Sequence, residues 1–271
     1  MTQNGDVQLY QVDRLKIEVH PTREAAGVAA AQSAASSLMR LAKTNAEFAV
    51  IFATGASQMD TLKALTQTPG LPWAQIRGFH MDEYIGLSPD HPASFRRYLR
   101  DNLTQKVQMK EFFEIDGSAS DPEQACKEYA ELLRTANPQL CLLGIGENGH
   151  LAFNDPGVAD FNDPLDVKVA QLDTTCRRQQ EAEGWFGSLD EVPERAMTVT
   201  IPALFRVPKL IASVPGPRKA AIVRRALQES VSTACPATLL RTHPNATVYL
   251  DRESSAEAID LLRFSTTAAR G

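Results

Sequence analysis

The chain has 271 residues, of which 43% are hydrophobic and 23% are charged, a balance typical of an ordinary globular protein with a sizeable core. Its net charge of −5 gives no general affinity for nucleic acid or for an anionic membrane surface, and no stretch approaches the roughly eighteen apolar residues of a membrane span. Four scattered cysteines show neither a disulfide framework nor a zinc spacing and favour a cytoplasmic protein: Cys126, Cys141, Cys176 and Cys235.

Strand-like and helix-like patterns alternate along the chain, without an internal repeat or a low-complexity linker. The predicted strands are 15–19, 48–53, 77–81, 140–145, 167–172, 197–201, 209–214 and 247–250. The predicted helices are 22–41, 58–65, 92–102, 122–135, 217–227 and 236–241. This alternation predicts a single α/β domain over residues 1–271, a Rossmann-like fold with a mostly parallel open sheet and helices on both faces. Residues 155–193 are irregular, and we expect a lid-like segment at about 156–193.

The most informative run follows the apolar strand: Leu142-Leu-Gly-Ile-Gly-Glu-Asn-Gly-His-Leu-Ala-Phe-Asn-Asp155. Its glycines allow tight turns, so the strand ends in a loop at its carboxyl end, the edge of an open α/β sheet where ligands bind. The loop carries His150, and Asp155 follows five residues later. A titratable imidazole beside a carboxylate that can orient it is a common catalytic arrangement, although a histidine that merely packs in a glycine-rich turn is the alternative.

Two other strand ends favour an anion. Thr54-Gly55-Ala56-Ser57 leads from a buried strand into a helix, where free backbone N–H groups and the helix dipole attract negative charge. Lys219 falls in the first turn of a later helix, where a cation opposes the dipole unless it serves an anion. A plain strand–helix turn and a solvated surface lysine are the alternatives. Arg177 and Arg178, in the irregular segment, could add charge to the same site or lie on the surface.

A pair of acids follows the strand at 77–81. On an extended backbone, neighbouring side chains point in opposite directions, so Asp82 could face a cleft while Glu83 makes structural bonds. An acidic loop in water is the alternative. The chain thus combines an anion-holding half with an acid–base half, and this pattern indicates proton transfer on a small phosphorylated molecule. The sequence contains no HxxxH or CxxC spacing for a metal.

Together, these motifs resemble those of the glucosamine-6-phosphate deaminase family, over most of the chain. Met81-Asp-Glu-Tyr-Ile-Gly-Leu87 resembles the family's MDEY-x-GL block. The run from Gly144 to Gly157 resembles its block ending in GH-x-AFNEP. The shorter matches are Thr54-Gly55, Gly216-x-x-Lys219, His91-Pro-x-Ser94, and Cys235-Pro-Ala-Thr-Leu-Leu with His243.

The resemblance implies an aldose–ketose isomerase/deaminase that converts an amino-sugar 6-phosphate, with glucosamine-6-phosphate as the first guess, to fructose-6-phosphate and ammonia. It implies that His150, oriented by Asp155, opens the sugar ring and that Asp82 moves the C2 proton to C1. Asn148, two residues before His150, joins this catalytic group. The predicted phosphate-binding residues are Thr54, Gly55, Ala56, Ser57, Lys219 and Arg177. No metal or other cofactor is expected, the partner is a small sugar phosphate, and self-association is open because family members are often homo-oligomers.

The chain departs from the family pattern at three places. Asp155 stands where the family has Glu. The lid lacks the A-N-x-R run whose arginine binds phosphate, so Arg177 or Arg178 would have to replace it. The serine-rich turn used by allosteric members is Gly157-Val-Ala159 here, so we expect no activation by N-acetylglucosamine-6-phosphate.

Two alternatives remain open. One is a 6-phosphogluconolactonase, a family that shares the G-x-G-x-DGH loop but typically carries a DER-type block where this chain has Asp82-Glu-Tyr84, and that lacks the Phe-Asn-acid-Pro sequence. The other is a non-catalytic sugar-phosphate sensor, suggested by Asp155 and by the missing lid arginine.

Overall fold

A computed structural model describes residues 7–262. The strands are β1 (Gln8–Val12), β2 (Leu15–His20), β3 (Phe48–Phe52), β4 (Ile76–His80), β5 (Asp82–Tyr84), β6 (Glu111–Phe113), β7 (Leu140–Leu143), β8 (Val167–Gln171), β9 (Arg195–Val199), β10 (Leu210–Ser213) and β11 (Ala246–Asp251). The helices are α1 (Arg23–Thr44), α2 (Met59–Gln67), α3 (Phe95–Leu99), α4 (Pro122–Ala136), α5 (Thr174–Ala182), α6 (Ile201–Phe205) and α7 (Ala220–Gln228).

Eight strands form the main sheet, in the order β1-β2-β11-β10-β7-β3-β4-β6. Every pairing in it is parallel except that of β1 with β2. The carboxyl ends of β3, β4, β7 and β10 therefore meet at one edge, where the loops that follow them can share a ligand.

Strand β3 shows why this sheet needs helices on both faces. Its residues alternate between two apolar clusters: Ala49 and Ile51 pack on one side, and Phe48, Val50 and Phe52 pack on the other. The cluster that contains Phe52 also holds apolar residues of α1, α2 and α3. The cluster that contains Ile51 holds residues of α4, α6 and α7. The predicted mostly parallel α/β sheet with two helical layers is confirmed.

Helix starts follow local chemistry. Asp121 caps α4 by accepting a hydrogen bond from Gln124 N at 3.0 Å, and Pro122 occupies the first turn, where its missing N–H leaves no hydrogen bond unmade. Thr22 caps α1 in the same way, through Ala25 N. Among residues 7–262, no helix combines the length and the apolar character needed to cross a bilayer.

Several predicted elements take a different form. The predicted strands 167–172 and 197–201 exist as β8 and β9, but they form a separate antiparallel sheet in the order β5-β9-β8. The predicted helix 92–102 begins only at Phe95 and widens into a π-helical stretch at Arg100–Thr104. The segment 155–193 was expected to be irregular, yet it contains α5. This helix is polar, so hydrophobic periodicity did not indicate it, and its start is fixed by Asp173, which accepts from Cys176 N at 2.6 Å.

Candidate active site

A cavity of about 240 Å³ opens at the carboxyl edge of the main sheet. Its walls come from the turns after β3, β4, β7 and β10, and α5 closes one side. Of the predicted site residues, it is lined by Thr54, Gly55, Ala56, Ser57, Asp82, His150 and Lys219. The structure thus brings side chains that are up to 165 residues apart in the sequence (54 to 219) into one cavity.

His150 lies between Asp155 and the cavity. Its Nδ1 is 2.8 Å from Asp155 Oδ1, a hydrogen-bonding distance, although the ring nitrogen has no well-aligned hydrogen-bond partner among the described residues. Gly146 provides the space for the ring, since a Cβ there would lie 2.2 Å from His150 Nε2. The shorter Asp155, where the family pattern has Glu, therefore still reaches the imidazole.

Asn148 and Asp173 hold this pair in place. Asn148 Nδ2 donates to Asp155 Oδ1 at 2.9 Å and to Asp173 Oδ2 at 2.8 Å, while its Oδ1 accepts from His150 N. Asp173 N donates to the other oxygen of Asp155 at 3.0 Å. Asn148 does not line the cavity, so the structure places it as a positioning residue behind the imidazole.

This network decides the charge of Asp155. Burial alone would raise the pKa of its carboxyl group, but the nearby His150 and the hydrogen bonds from Asn148 and from Asp173 N lower the pKa below its ordinary value. Asp155 is fully buried and ionised at neutral pH, as a carboxylate that orients and stabilises an imidazolium must be.

Asp82 and Glu83 divide their roles as an extended backbone requires. Asp82 is 7% exposed and lines the cavity, whereas Glu83 points the other way and is fully buried. Burial raises the pKa of Asp82 well above its ordinary value, and the negative charge of Glu83 raises it further. Asp82 Oδ1 has no hydrogen-bond partner among the described residues.

Glu83 is a structural residue. Its carboxylate accepts from the backbone N–H groups of Tyr84, Phe95 and Arg96 and from Ser94 Oγ, at 2.8–3.2 Å. These bonds tie β5 to the start of α3, which fixes the backbone that carries Asp82.

The two anion-favouring turns have the same form. Gly55 and Gly216, with φ of 90° and 93°, each precede a single 3₁₀ turn that leads into α2 or α7. Such a φ strongly favours glycine. The N–H groups of Gln58 and Lys219 donate back to the carbonyl groups of Gly55 and Gly216. Pro217 has no N–H, so the N–H groups of Ala56, Ser57 and Arg218 are those left for a ligand at the two helix starts. The turn Thr54–Ser57 and the turn before Lys219 both line the cavity. Two helix N-termini therefore converge on one volume.

Lys219 supplies a cation to that volume. It is 7% exposed, and its ammonium makes no hydrogen bond or ion pair within residues 7–262. Burial lowers its pKa, and the carboxylates of Glu183 and Glu147 oppose that effect. A buried lysine without a direct partner at a cavity wall is a favourable place for an anionic group of a ligand.

Arg177 is not brought to the cavity. Its guanidinium donates to the carbonyl groups of Leu189 and Val192, at 2.8–3.2 Å, and holds the end of the lid-like segment together. These contacts do not support the prediction that Arg177 binds phosphate. Arg178 is exposed, and it does not line the cavity either.

Sequence reasoning missed the cations and amides that do line the cavity. Arg23, at the start of α1, pairs with Asp60 at 2.6 Å, and Arg218 pairs with Glu147 at 3.3 Å. Helix α5 and its C-cap contribute Gln179, Gln180 and Glu183. The Pro-Arg-Lys run at the start of α7 was a usable signal for Arg218, but no local pattern marks the others, because only tertiary contacts place them here.

His150, Asp155 and Cys176 bring ligand atoms within 4.8 Å of one another, a donor set that sequence spacing did not indicate. The residues fit a metal poorly. Both Asp155 oxygens already accept hydrogen bonds, and burial raises the pKa of the Cys176 thiol well above its ordinary value, so the thiol stays protonated. The three groups suit proton handling better than metal binding.

The cavity combines an imidazole paired with an ionised carboxylate, a second carboxyl of raised pKa, and an anion-binding wall made of the turns after Gly55 and Gly216 and of Lys219. These features suit proton transfer on a small anionic molecule, so the fold and cavity define an α/β enzyme of that class. Comparison with known families makes the class specific. Residues 21–249 match the family of glucosamine-6-phosphate isomerases and 6-phosphogluconolactonases, and the chain belongs to that family.

Individual relatives agree with this membership. The glucosamine-6-phosphate deaminase of a Geobacillus species is 34% identical over 229 residues, which cover 82% of this chain and 89% of that protein. The one from an Exiguobacterium species is 33% identical, over 80% of this chain and 83% of that protein. A solved monomeric glucosamine-6-phosphate deaminase has a TM-score of 0.82 at 30% identity, covering 89% of this chain and 99% of its own.

The other branch of the family shares the fold. A solved 6-phosphogluconolactonase from Thermotoga maritima has a TM-score of 0.71 at 19% identity, covering 88% of this chain and 99% of its own.

Proposed function

We propose that this protein is an aldose–ketose isomerase/deaminase that converts glucosamine-6-phosphate and water to fructose-6-phosphate and ammonia. One observation carries the proposal: a buried carboxyl of raised pKa (Asp82) and an imidazole paired with an ionised carboxylate (His150 with Asp155) line the same cavity. Identity of 33–34% to curated deaminases over four fifths of the chain supports the same reaction.

The imidazole opens the sugar ring. With Nδ1 turned towards Asp155, Nε2 is the nitrogen that meets the substrate, and it moves the proton between the C1 hydroxyl and the ring oxygen O5. Ring opening creates the C1 carbonyl, without which the proton on C2 is not acidic. The ionised Asp155 stabilises the imidazolium that forms during this step.

Asp82 carries out the isomerisation. Its carboxylate takes the proton from C2, and a proton of the substrate's own C2 ammonium group passes to the C1 oxygen, which gives a neutral enolamine. Asp82 then returns its proton to C1. The C2 imine that results is hydrolysed by water, so that a ketone replaces the nitrogen and ammonia leaves. A general base works best when its pKa approaches the working pH, so the raised pKa of Asp82 favours this role.

The phosphate lies against the two turns. The backbone N–H groups of Ala56, Ser57 and Arg218 and the ammonium of Lys219 bind its oxygens, with the Ser57 side chain at the same wall. This anchoring fixes C1 and C2 between Asp82 and His150, and so turns binding energy into orientation of the reacting atoms.

The direct test incubates the purified protein with glucosamine-6-phosphate and measures ammonia and fructose-6-phosphate together. Equal formation of both products, lost in Asp82→Asn, is the expected result. Hydrolysis of 6-phosphogluconolactone above its spontaneous rate, without ammonia from the amino sugar, would replace the proposal by a lactonase. Tight binding of a sugar phosphate without turnover of either substrate would make the protein a sensor.

A further inference from the structure

The wall that α5 contributes to the cavity contains one buried amide without a protein partner. Gln180 is 6% exposed and lines the cavity, and its carboxamide makes no hydrogen bond with any residue in 7–262. A carboxamide offers two donors and an acceptor, and buried side chains of this kind are nearly always paired. Its unused capacity therefore points to a group of the ligand.

Its neighbours on the same helix face are already engaged. Gln179 accepts from Glu147 N at 2.8 Å and donates to Glu183 Oε1 at 2.8 Å, so both ends of its amide are used. Glu183 also accepts from Trp185 Nε1 and lies 3.8 Å from the Arg218 guanidinium. These two residues fasten α5 to the turns of the sheet edge and leave Gln180 as the free amide of this wall.

The helix places Gln180 at a defined level of the cavity. Cys176 marks the catalytic end, since its sulfur lies within 4.8 Å of ligand atoms of His150 and Asp155. Glu183 marks the anion-binding end of the cavity, because it lies 3.8 Å from the guanidinium of Arg218, the residue that precedes Lys219. With a rise of about 1.5 Å per residue, Gln180 lies roughly 6 Å along the axis from the first level and about 4.5 Å from the second.

We infer that Gln180 is a specificity-determining residue that hydrogen-bonds the C4 hydroxyl of the sugar. This inference rests on the proposed function, which places C1 and C2 at the His150 level and the phosphate on C6 at the Lys219 level. C4 is the midpoint between C2 and C6, and an amide fixed there meets the hydroxyl of one C4 epimer and not of the other. Because α5 brings no cation that replaces the missing lid arginine, its part is to recognise the sugar rather than the phosphate.

The test compares wild type with Gln180→Met, which keeps the side-chain length and removes the hydrogen-bonding groups. For each protein, kcat/KM is measured with glucosamine-6-phosphate and with its C4 epimer, galactosamine-6-phosphate, together with competitive inhibition by inorganic phosphate. We expect wild type to prefer one epimer and the variant to lose roughly tenfold of that preference, the effect of about one hydrogen bond. Inhibition by phosphate should stay within about twofold.

Gln171→Met is the matched control, because Gln171 is exposed on β8 and lies outside the cavity. Circular dichroism and thermal unfolding check that both variants fold. An unchanged epimer ratio in Gln180→Met, or a wild type indifferent to the epimer, overturns the inference. An equal weakening of phosphate inhibition does the same, because it would show a general effect on the cavity.

A failure of the proposed function would be seen separately, as absence of ammonia with either epimer in wild type. Calorimetric binding of glucose-6-phosphate and galactose-6-phosphate then carries the test of Gln180. The same loss of preference in Gln180→Met is expected, and equal affinities of wild type for the two sugars would contradict the inference.

Discussion

Two buried carboxyl groups, Asp82 at the cavity wall and Asp155 behind His150, have opposite ionisation behaviour. Around Asp155, three hydrogen-bonding neighbours outweigh the effect of burial, and its pKa falls. Around Asp82, burial and the charge of Glu83 act in the same direction, and its pKa rises. The difference is one of partners rather than of depth, since both side chains are at most 7% exposed.

Such a divergence supports the two different catalytic roles that we propose for these groups. A carboxylate held ionised by permanent hydrogen bonds is suited to orient and stabilise an imidazolium, and it has no reason to take up a proton. A carboxyl without compensating partners holds a proton readily and gives it back readily. Environments that push two titratable groups apart in this way are a recurring mark of acid–base assignments.

The largest expected effect is that of Asp82→Asn. Removing the base should lower kcat by about 10³- to 10⁴-fold, because proton transfer at C2 has no other group to serve it. The same variant should be more stable than wild type at pH 7. The pKa of Asp82 is raised by folding, so its contribution to stability is full below the unfolded pKa and is lost as pH rises through the folded pKa. At pH 7 the neutral amide avoids that loss.

Steady-state kinetics and thermal unfolding at pH 5 and pH 7 measure both effects. Each unit of pKa elevation corresponds to about 1.4 kcal/mol, and 1 kcal/mol shifts Tm by roughly 2–4 °C in a chain of this size. Asp101→Asn, at an exposed carboxylate on the helical stretch after α3, is the control. A variant that is inactive and also less stable than wild type at pH 7 would show that Asp82 is not an uncompensated buried charge.

Asp155→Asn should cost less activity, about 10²-fold in kcat, because it misorients His150 without removing it. The expected change in stability has the opposite sign to that of Asp82→Asn. The pKa of Asp155 is lowered by folding, so its stabilisation is present above the unfolded pKa and disappears as pH falls through the folded pKa. The variant should therefore be less stable at pH 7, and the gap to wild type should narrow in acid.

Denaturant unfolding between pH 3 and pH 7 measures that gap. Asp155→Glu is the informative partner variant, since it restores the residue of the family pattern and the carboxylate. Retention of activity within about tenfold is expected of it. Equal losses in Asp155→Asn and Asp155→Glu would mean that side-chain length, not charge, matters at this position.

The comparison also shows what the sequence could reveal. Asp82 and His150 were predictable because each follows a buried strand, and the carboxyl ends of parallel strands meet at one edge. The different environments of Asp82 and Asp155 were not predictable. The hydrogen-bond partners of Asp155 are Asn148 and Asp173, and Asp173 lies 18 residues away in the sequence. The raised pKa of Asp82 depends on a burial that only the assembled fold creates.

Some elements of the fold were likewise predictable from the sequence, and others were not. The long strands of the main sheet were predictable because they are buried on both faces and appear as apolar runs, as in 48–53 and 140–145. Strands β5 and β6 have three residues each, too few to show a period. Helix α5 lacks an apolar stripe because its inner face, with Gln179 and Gln180, lines the cavity instead of the apolar core. The polar residues that place this helix at the cavity are therefore the reason that hydrophobic periodicity did not predict it.

The anion-binding wall offers a further contrast, between Lys219 and Arg177. Lys219→Ala should raise KM for the sugar phosphate by about 10- to 100-fold with a smaller change in kcat, because it removes binding shared by the ground and transition states. The inhibition constant of inorganic phosphate should rise in parallel. If KM is unchanged, Lys219 does not bind the phosphate, and the two helix N-termini suffice.

Arg177→Ala should have the smallest effect on catalysis, with KM and phosphate inhibition within about twofold of wild type. Its guanidinium is occupied by the carbonyl groups of Leu189 and Val192, so the change should instead lower stability by about 1–2 kcal/mol, seen as a lower Tm. Arg178→Ala, at an exposed neighbour on α5, controls for loss of charge. A KM for Arg177→Ala as high as that of Lys219→Ala would mean that the lid-like segment releases these carbonyl groups and turns its arginine to the phosphate when substrate binds.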